Sequence, residues 1–317
     1  KQQSVSEQKL AISLVNELDA ITTGASVAKG AAQRLDLPKA GIDFSCSEEC
    51  ACAFSIGKVS RDFKDKIMFA PKRIEGDEIV FWTLDWKVPF RATNFLFATN
   101  ERIKYFFVAD DSQESQQLRA KVQALVPEQV NADFITLTDV DCASTPDCVR
   151  NENYVQVKLV FLNIDPNFGG LQLHDSFAET TISAALITPD YVNFYKRKNL
   201  VSQEFDASRA YYVGDAGLFA AIFAEDEIMF RCNLQEASRK LSYVSKVLAD
   251  RAEVFRGDAE LIAQGCPYNP GTLEAIRMLA ASQANELSAD ILALRDHAST
   301  LNIENDALLR QSCPTLY

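Results

Sequence analysis

At 317 residues the chain has room for two domains, or for one domain with a large appendage, and its 47% apolar content can build a core. The net charge of −12 lacks the Lys and Arg excess that displaces counterions from a nucleic-acid backbone, so no nucleic-acid partner is expected. No run of about 18 apolar residues exists, so no stretch is long enough to span a bilayer.

Residues 5–22 predict an amphipathic helix. Ala11, Leu14, Val15, Leu18 and Ile21 form its apolar face, and Gly24 ends it. Such a helix is either the tail of a membrane anchor or an element packed on the body. The chain starts at Lys1 with no signal peptide, so an upstream signal or anchor is expected to have been removed, and any membrane attachment would run through that piece.

Between Ile42 and Ile56, the turn Ser47-Glu48-Glu49 separates two β-capable runs. Cys46 precedes it and Cys50 and Cys52 follow, which predicts a cross-linked hairpin. Strands are expected at Lys66–Phe69, Glu78–Leu84, Asn94–Thr99 and Lys104–Ala109. Trp82 and Trp86 are the only tryptophans, and they suit core packing or, if exposed, a contact surface.

The next stretch predicts a βαβ unit. A strand at Ile103–Ala109 meets the helix-capping run Asp110-Asp111-Ser112; a helix over Gln113–Val126 stops at Pro127; a second strand follows at Asp133–Thr138. Leu118, Val122, Leu125 and Val126 should face the sheet. Asp110, Asp111, Asp139 and Asp141 follow the two strands, where ligands of open α/β sheets bind, and paired carboxylates there could hold Mg²⁺ or Ca²⁺. The simpler role for them is helix capping and loop solvation. Further strands are expected at Tyr154–Ile164, Thr181–Thr188 and Ser208–Val213. An aromatic stretch, Tyr191–Tyr195, precedes the basic run Lys196-Arg197-Lys198, read as solvated surface or a contact for acidic partners.

From Ala216 to Leu308 the pattern becomes helical. Phe230, Leu234, Ala237, Leu241, Val244, Leu248 and Phe255 form one seam. Leu273, Ala280, Leu287, Leu294, Leu301 and Leu308 recur every seven residues, with Ile276, Gln283, Ile291, Ala298 and Asn305 between them. A single helix over that span would be on the order of 55 Å long. Glycines and prolines between Gly257 and Gly271 break the two apart, predicting an antiparallel coiled-coil-like hairpin. Leu287, Leu294 and Leu301, with the two tryptophans, are the candidate interaction residues.

The eight cysteines, Cys46, Cys50, Cys52, Cys142, Cys148, Cys232, Cys266 and Cys313, predict disulfides and an oxidising compartment rather than zinc, because only the first three cluster and both histidines, His174 and His297, are remote. Cys142 and Cys148 are the best local pair. Three cysteines then remain on each side, so at least one bridge must tie the N-terminal hairpin to the helical region.

No GxSxG, P-loop, HExxH or GxGxxG motif occurs, and neither catalysis nor a cofactor is expected. The expected fold class is α/β, with α+β as the alternative: an N-terminal helix and linker (1–40), a disulfide-containing body (41–214) and a helical hairpin (215–317). The expected role is that of an exported surface or filament-associated protein that binds protein partners or itself. The alternative is an extracytoplasmic ligand-binding or metal-dependent domain using the strand-end acids.

Leu14-Val15-Asn16-Glu17-Leu18 and the run from Leu37-Pro38 to Ile42 resemble the start of exported archaeal proteins with a pilin-like, membrane-anchored N-terminal helix. The resemblance covers about the first 60 residues and implies cell-surface attachment, but no activity.

Overall fold

The computed structural model describes residues 12–13, 15–16, 20, 32–37, 41–63, 66–136, 154–164, 181–197 and 205–317. The first strands are β1 (Gln33–Asp36), β2 (Ile42–Cys46), β3 (Cys52–Ile56), β4 (Val59–Asp62), β5 (Met68–Phe69), β6 (Arg73–Ile74), β7 (Glu78–Lys87) and β8 (Arg91–Thr99). They form two four-stranded sheets, ordered β1-β7-β8-β5 and β4-β3-β2-β6.

The third sheet contains β9 (Ile103–Ala109), β10 (Ala132–Thr136), β11 (Gln156–Leu162), β12 (Thr181–Ile187), β13 (Tyr191–Arg197) and β14 (Phe205–Tyr211), in the order β10-β9-β11-β12-β13-β14. The first four of these are mutually parallel, and the last two pair antiparallel. Helix α1 (Gln113–Leu125) joins β9 to the adjacent parallel strand β10, as the sequence predicts, with Leu118 and Val122 buried. The Tyr191–Tyr195 stretch and the first two residues of the basic run form β13, a strand that the composition did not announce.

Helices α2 (Gly214–Phe223), α3 (Glu227–Arg256), α4 (Ala259–Ala263), α5 (Pro270–Gln283) and α6 (Ala293–Arg310) complete the chain. α2 is apolar all round, and every residue from Ala216 to Phe223 is buried, which is what such a pattern requires. It lies between two sheets: the Phe223 ring sits 4.8 Å from Trp82 on β7 and 4.8 Å from Tyr105 on β9. Gly214, at φ +74°, lets the chain turn from β14 into α2, a conformation a side chain disfavours. The expected single first helix is therefore two. α2 ends at Phe223, and Asp226 restarts the chain as the N-cap of α3, accepting from the Met229 N–H at 3.0 Å.

α3 and α5 pack antiparallel: Phe255 meets Tyr268 at one end (5.1 Å), and Gln235 Nε2 donates to the Asn285 carbonyl at the other (3.1 Å). The second helix of the hairpin is not continuous. After Gln283 the chain leaves the helix, and Gln283 turns back on Ser288, accepting from its N–H at 2.8 Å and donating to its Oγ at 3.0 Å. Ser288 then caps a 3₁₀ turn, Ala289–Leu292, that leads into α6. Heptad spacing survives this break because Leu273, Ile276, Ala280, Ile291, Leu294, Leu301 and Leu308 all point into the core, whether or not one helix carries them.

One apolar cluster runs from Val15 to Leu316, so the expected boundary at 214/215 does not separate two cores. Val15 is buried in it, and Asn16 Oδ1 accepts from Arg61 Nη2 at 2.9 Å, which places that part of the N-terminal segment on the body. A second cluster, with Phe106, Val108, Val157, Leu159 and Phe161, fills the opposite face of the six-stranded sheet, with Ile135, Tyr154, Ile164 and Tyr195 packed against it.

Two outcomes follow from this packing. Leu301 is fully buried, so Leu301→Ala should cost about 3 kcal/mol in denaturant unfolding, with the monomer remaining folded. The second concerns Lys158, which is buried on β11 and donates to the Ala224 carbonyl at the C-terminal end of α2. Burial pushes its ammonium down to about 8, against the pull of Glu225 and Asp226. Between that value and the ordinary 10.5, the unfolded chain holds a proton that the folded chain has released. Stability should therefore rise with pH through this window, and Lys158→Met should flatten the rise in unfolding curves taken from pH 7.5 to 10.

Candidate functional site

The strand-end acids come first, because sheet order makes that edge a natural ligand position. Connections from β9 and β11 leave in opposite directions, which creates a switch point between their carboxyl ends. The crevice is already stitched by the chain itself. Ser115, fully buried, accepts from the Asp110 N–H at 3.1 Å and donates to the Leu162 carbonyl at 2.6 Å. Asp110 Oδ1 accepts from both the N–H and the hydroxyl of Ser112, and those donors hold its carboxyl below the usual range. Ser112 caps α1 through the Ser115 N–H. Asp110 thus works as a turn and capping residue. Asp139 and Asp141 lie outside the described residues, and no three His, Cys, Asp or Glu side chains converge as a metal site among the described ones.

The cysteines make a second cluster. Cys46 pairs with Cys52 across the β2–β3 hairpin, Cys50 with Cys232 on α3, and Cys266 with Cys313. The odd count on each side is resolved by Cys50–Cys232, which fastens the hairpin turn to the first helical turns of α3. Cys142 and Cys148 lie outside the described residues. Arg231 reinforces the corner, with Nη2 on Glu48 at 3.0 Å, Nε on Glu227 at 3.2 Å and Nη1 3.8 Å from Cys50 Sγ. A cavity of about 330 Å³ opens beside these bridges, lined by Cys50, Cys52, Cys232, Phe63, Asp62 and Arg239 among others. Its three sulfurs are all in disulfides, so it offers no thiolate nucleophile.

The candidate interaction residues are internal. Trp82 and Trp86 are core residues: Trp82 stacks on Phe97, and Trp86 stacks on Phe95 while its Nε1 donates to the Val213 carbonyl at 3.1 Å. Leu294 and Leu301 are fully buried and Leu287 is half-buried. Trp82, Trp86, Leu294 and Leu301 thus face the core rather than solvent, while Leu287 is partly exposed. His297 is half-buried on α6, and His174 lies outside the described residues.

The apolar side chains that do face solvent are others. Tyr243, Val247 and Val254 stand on the outer face of α3, exposed by 66%, 66% and 70%. Ile303 and Leu309 stand out from α6 at 68% and 66%. The signal for them was present in the sequence: Tyr243, Val247 and Val254 are apolar residues that fall outside the α3 seam.

The bridges differ in the loops they close, with separations of 182, 47 and 6 residues. The chain-entropy relation assigns these about 5, about 4 and about 2 kcal/mol. Paired Cys→Ser variants should therefore lose stability in the order Cys50–Cys232, Cys266–Cys313, Cys46–Cys52, as read by denaturant midpoints. No protein-family model, curated protein or solved structure matches this chain.

Proposed function

We propose that this chain is an exported cell-surface structural or adhesive protein, of the kind that builds or decorates filaments, and that it acts by protein association. The observation that carries this reading is the set of three disulfides among the described residues, one of them binding the N-terminal hairpin to α3. Such bridges persist where no thiol pool reduces them. The outward apolar residues of α3 and α6 supply surface for association. No described helix is long and apolar enough to cross a membrane.

The switch point of the six-stranded sheet favours a second reading, a ligand-binding or metal-dependent α/β domain outside the cytoplasm. It is the weaker one, because Ser115 and Ser112 occupy the groups that would receive the ligand.

Labelling intact producing cells with a membrane-impermeant amine reagent tests the main reading. The protein should be labelled without lysis, and non-reducing peptide mapping of that material should return the three bridges. Labelling only after lysis, or free thiols at Cys50 and Cys232, would overturn it.

A further inference from the structure

We propose that Lys104 and Asn131 join through an intramolecular isopeptide bond, with Asp133 as the proton carrier. The reaction uses only groups of this chain and stands apart from the association reading above.

The register of β9 and β10 brings the groups together. Ala132 lies opposite Tyr105 and Asp133 opposite Phe106 in that parallel pair, so Asn131 comes level with Lys104. Alternation then puts Lys104, Phe106, Asn131 and Asp133 on one face of the sheet. Lys104 Nζ donates to Asn131 Oδ1 at 2.8 Å and lies 2.9 Å from Asp133 Oδ2. It stands 5.6 Å from the centre of the Phe106 ring and 5.6 Å from that of Tyr154. Lys104 is buried, against the second apolar cluster. The amide is held from its other side, where Asn131 Nδ2 donates to the Glu101 carbonyl at 2.8 Å. The Asn131 backbone is fixed as well, its carbonyl accepting from the Tyr105 N–H at 2.9 Å.

A carboxylate alone would satisfy a buried lysine. What this corner adds is an amine, a carbonyl carbon and a base within reach of one another. With a C=O bond of about 1.23 Å, Asn131 Cγ lies no more than about 4 Å from Lys104 Nζ. Side chains are poor reactants for each other in water, but well-oriented pairs reach effective molarities of about 10⁵ M or more. Proton transfer within the Lys104–Asp133 pair leaves both groups neutral, the form that an apolar wall tolerates.

The step balances without a co-reactant. Asp133 takes a proton from the Lys104 ammonium, and the freed Nζ lone pair attacks Asn131 Cγ, moving the carbonyl pair onto Oδ1. Asp133 passes that proton to Nδ2 and takes a second one from Nζ. The carbonyl re-forms, the Cγ–Nδ2 bond breaks, and ammonia leaves, carrying off the proton on Asp133 as ammonium. One C–N bond has formed and one has broken, with no change of oxidation state. The Asp133 side chain is 57% exposed, which gives the ammonia a way out. The product ties the edge strand β10 to β9 and closes a loop of 27 residues through α1.

Mass spectrometry of the full chain, with its disulfides reduced, reads the bond. The wild type should be lighter than its sequence by one ammonia, and digestion should give a branched peptide joining Lys104 to Asn131. Lys104→Met should show the full sequence mass. Asp133→Asn alters an exposed position, so it should still fold and keep the Cys50–Cys232 bridge. Without the proton carrier it should accumulate the branched peptide roughly tenfold more slowly, or slower still. A folded wild type of full sequence mass overturns the proposal and leaves an ion pair only. So does an ammonia loss traced to a cyclised asparagine with Lys104 free. A branched peptide that forms equally fast in Asp133→Asn overturns the role given to that carboxylate.

Discussion

The structure depends on burying one apolar helix. α2 has no polar face, so it is stable only when enclosed on all sides, and the chain encloses it between the β7–β8 pair and the parallel sheet. Burial of Leu218, Phe219, Ile222 and Phe223 each contributes about 1.5–3 kcal/mol. It also strands the helix's last carbonyls away from water. Lys158 answers that need by donating to Ala224 from the middle of β11. Beside it, Glu225 accepts from the Lys72 N–H at 3.1 Å and from Gln156 Nε2 at 2.6 Å, so the link between α2 and α3 is also where the sheets are joined. A buried lysine is a costly way to satisfy a carbonyl, but removing it would leave the helix end without a donor.

Much of this was legible in the residues and some was not, for physical reasons. The β9–α1–β10 unit could be read because three local signals agree there: a strand run, a Ser cap and a proline stop. The seams on α3, α5 and α6 were legible as burial, since period and core-facing side correspond. Their continuity was not, because the break after Gln283 arises from one side chain turning onto Ser288, with no glycine or proline to mark it. β1 and β4 have short, polar, exposed sequences without alternation, and only their neighbours make them strands. Parity could demand a bridge from the hairpin to the helices, but which cysteine makes it depends on how α3 lies over β2, a tertiary fact.

The candidate sites divide in the same way. Asp110 belongs to a recognisable capping sequence, and capping is what it does. The tryptophans and the heptad leucines suit a core or a contact surface, because large apolar side chains serve both alike and composition cannot separate the two. What separates them is phase. On α3 the residues in phase with the seam are inside, and the exposed apolar ones are those out of phase with it.

The Cys50–Cys232 bridge also decides how the molecule would respond to pulling. Tension applied upstream of Cys50 and downstream of Cys232 crosses the sulfur–sulfur bond and skips the 182-residue separation between them. That stretch, which contains most of the three sheets, would measure roughly 600 Å if drawn out straight. The Cys266–Cys313 bridge excludes a further 47 in the same way. Under load, the segment before Cys50 and the stretch from Cys232 to Cys266 could lengthen while α2 and most of the sheets around it stayed slack, so the two bridges would shield most of the chain from extension.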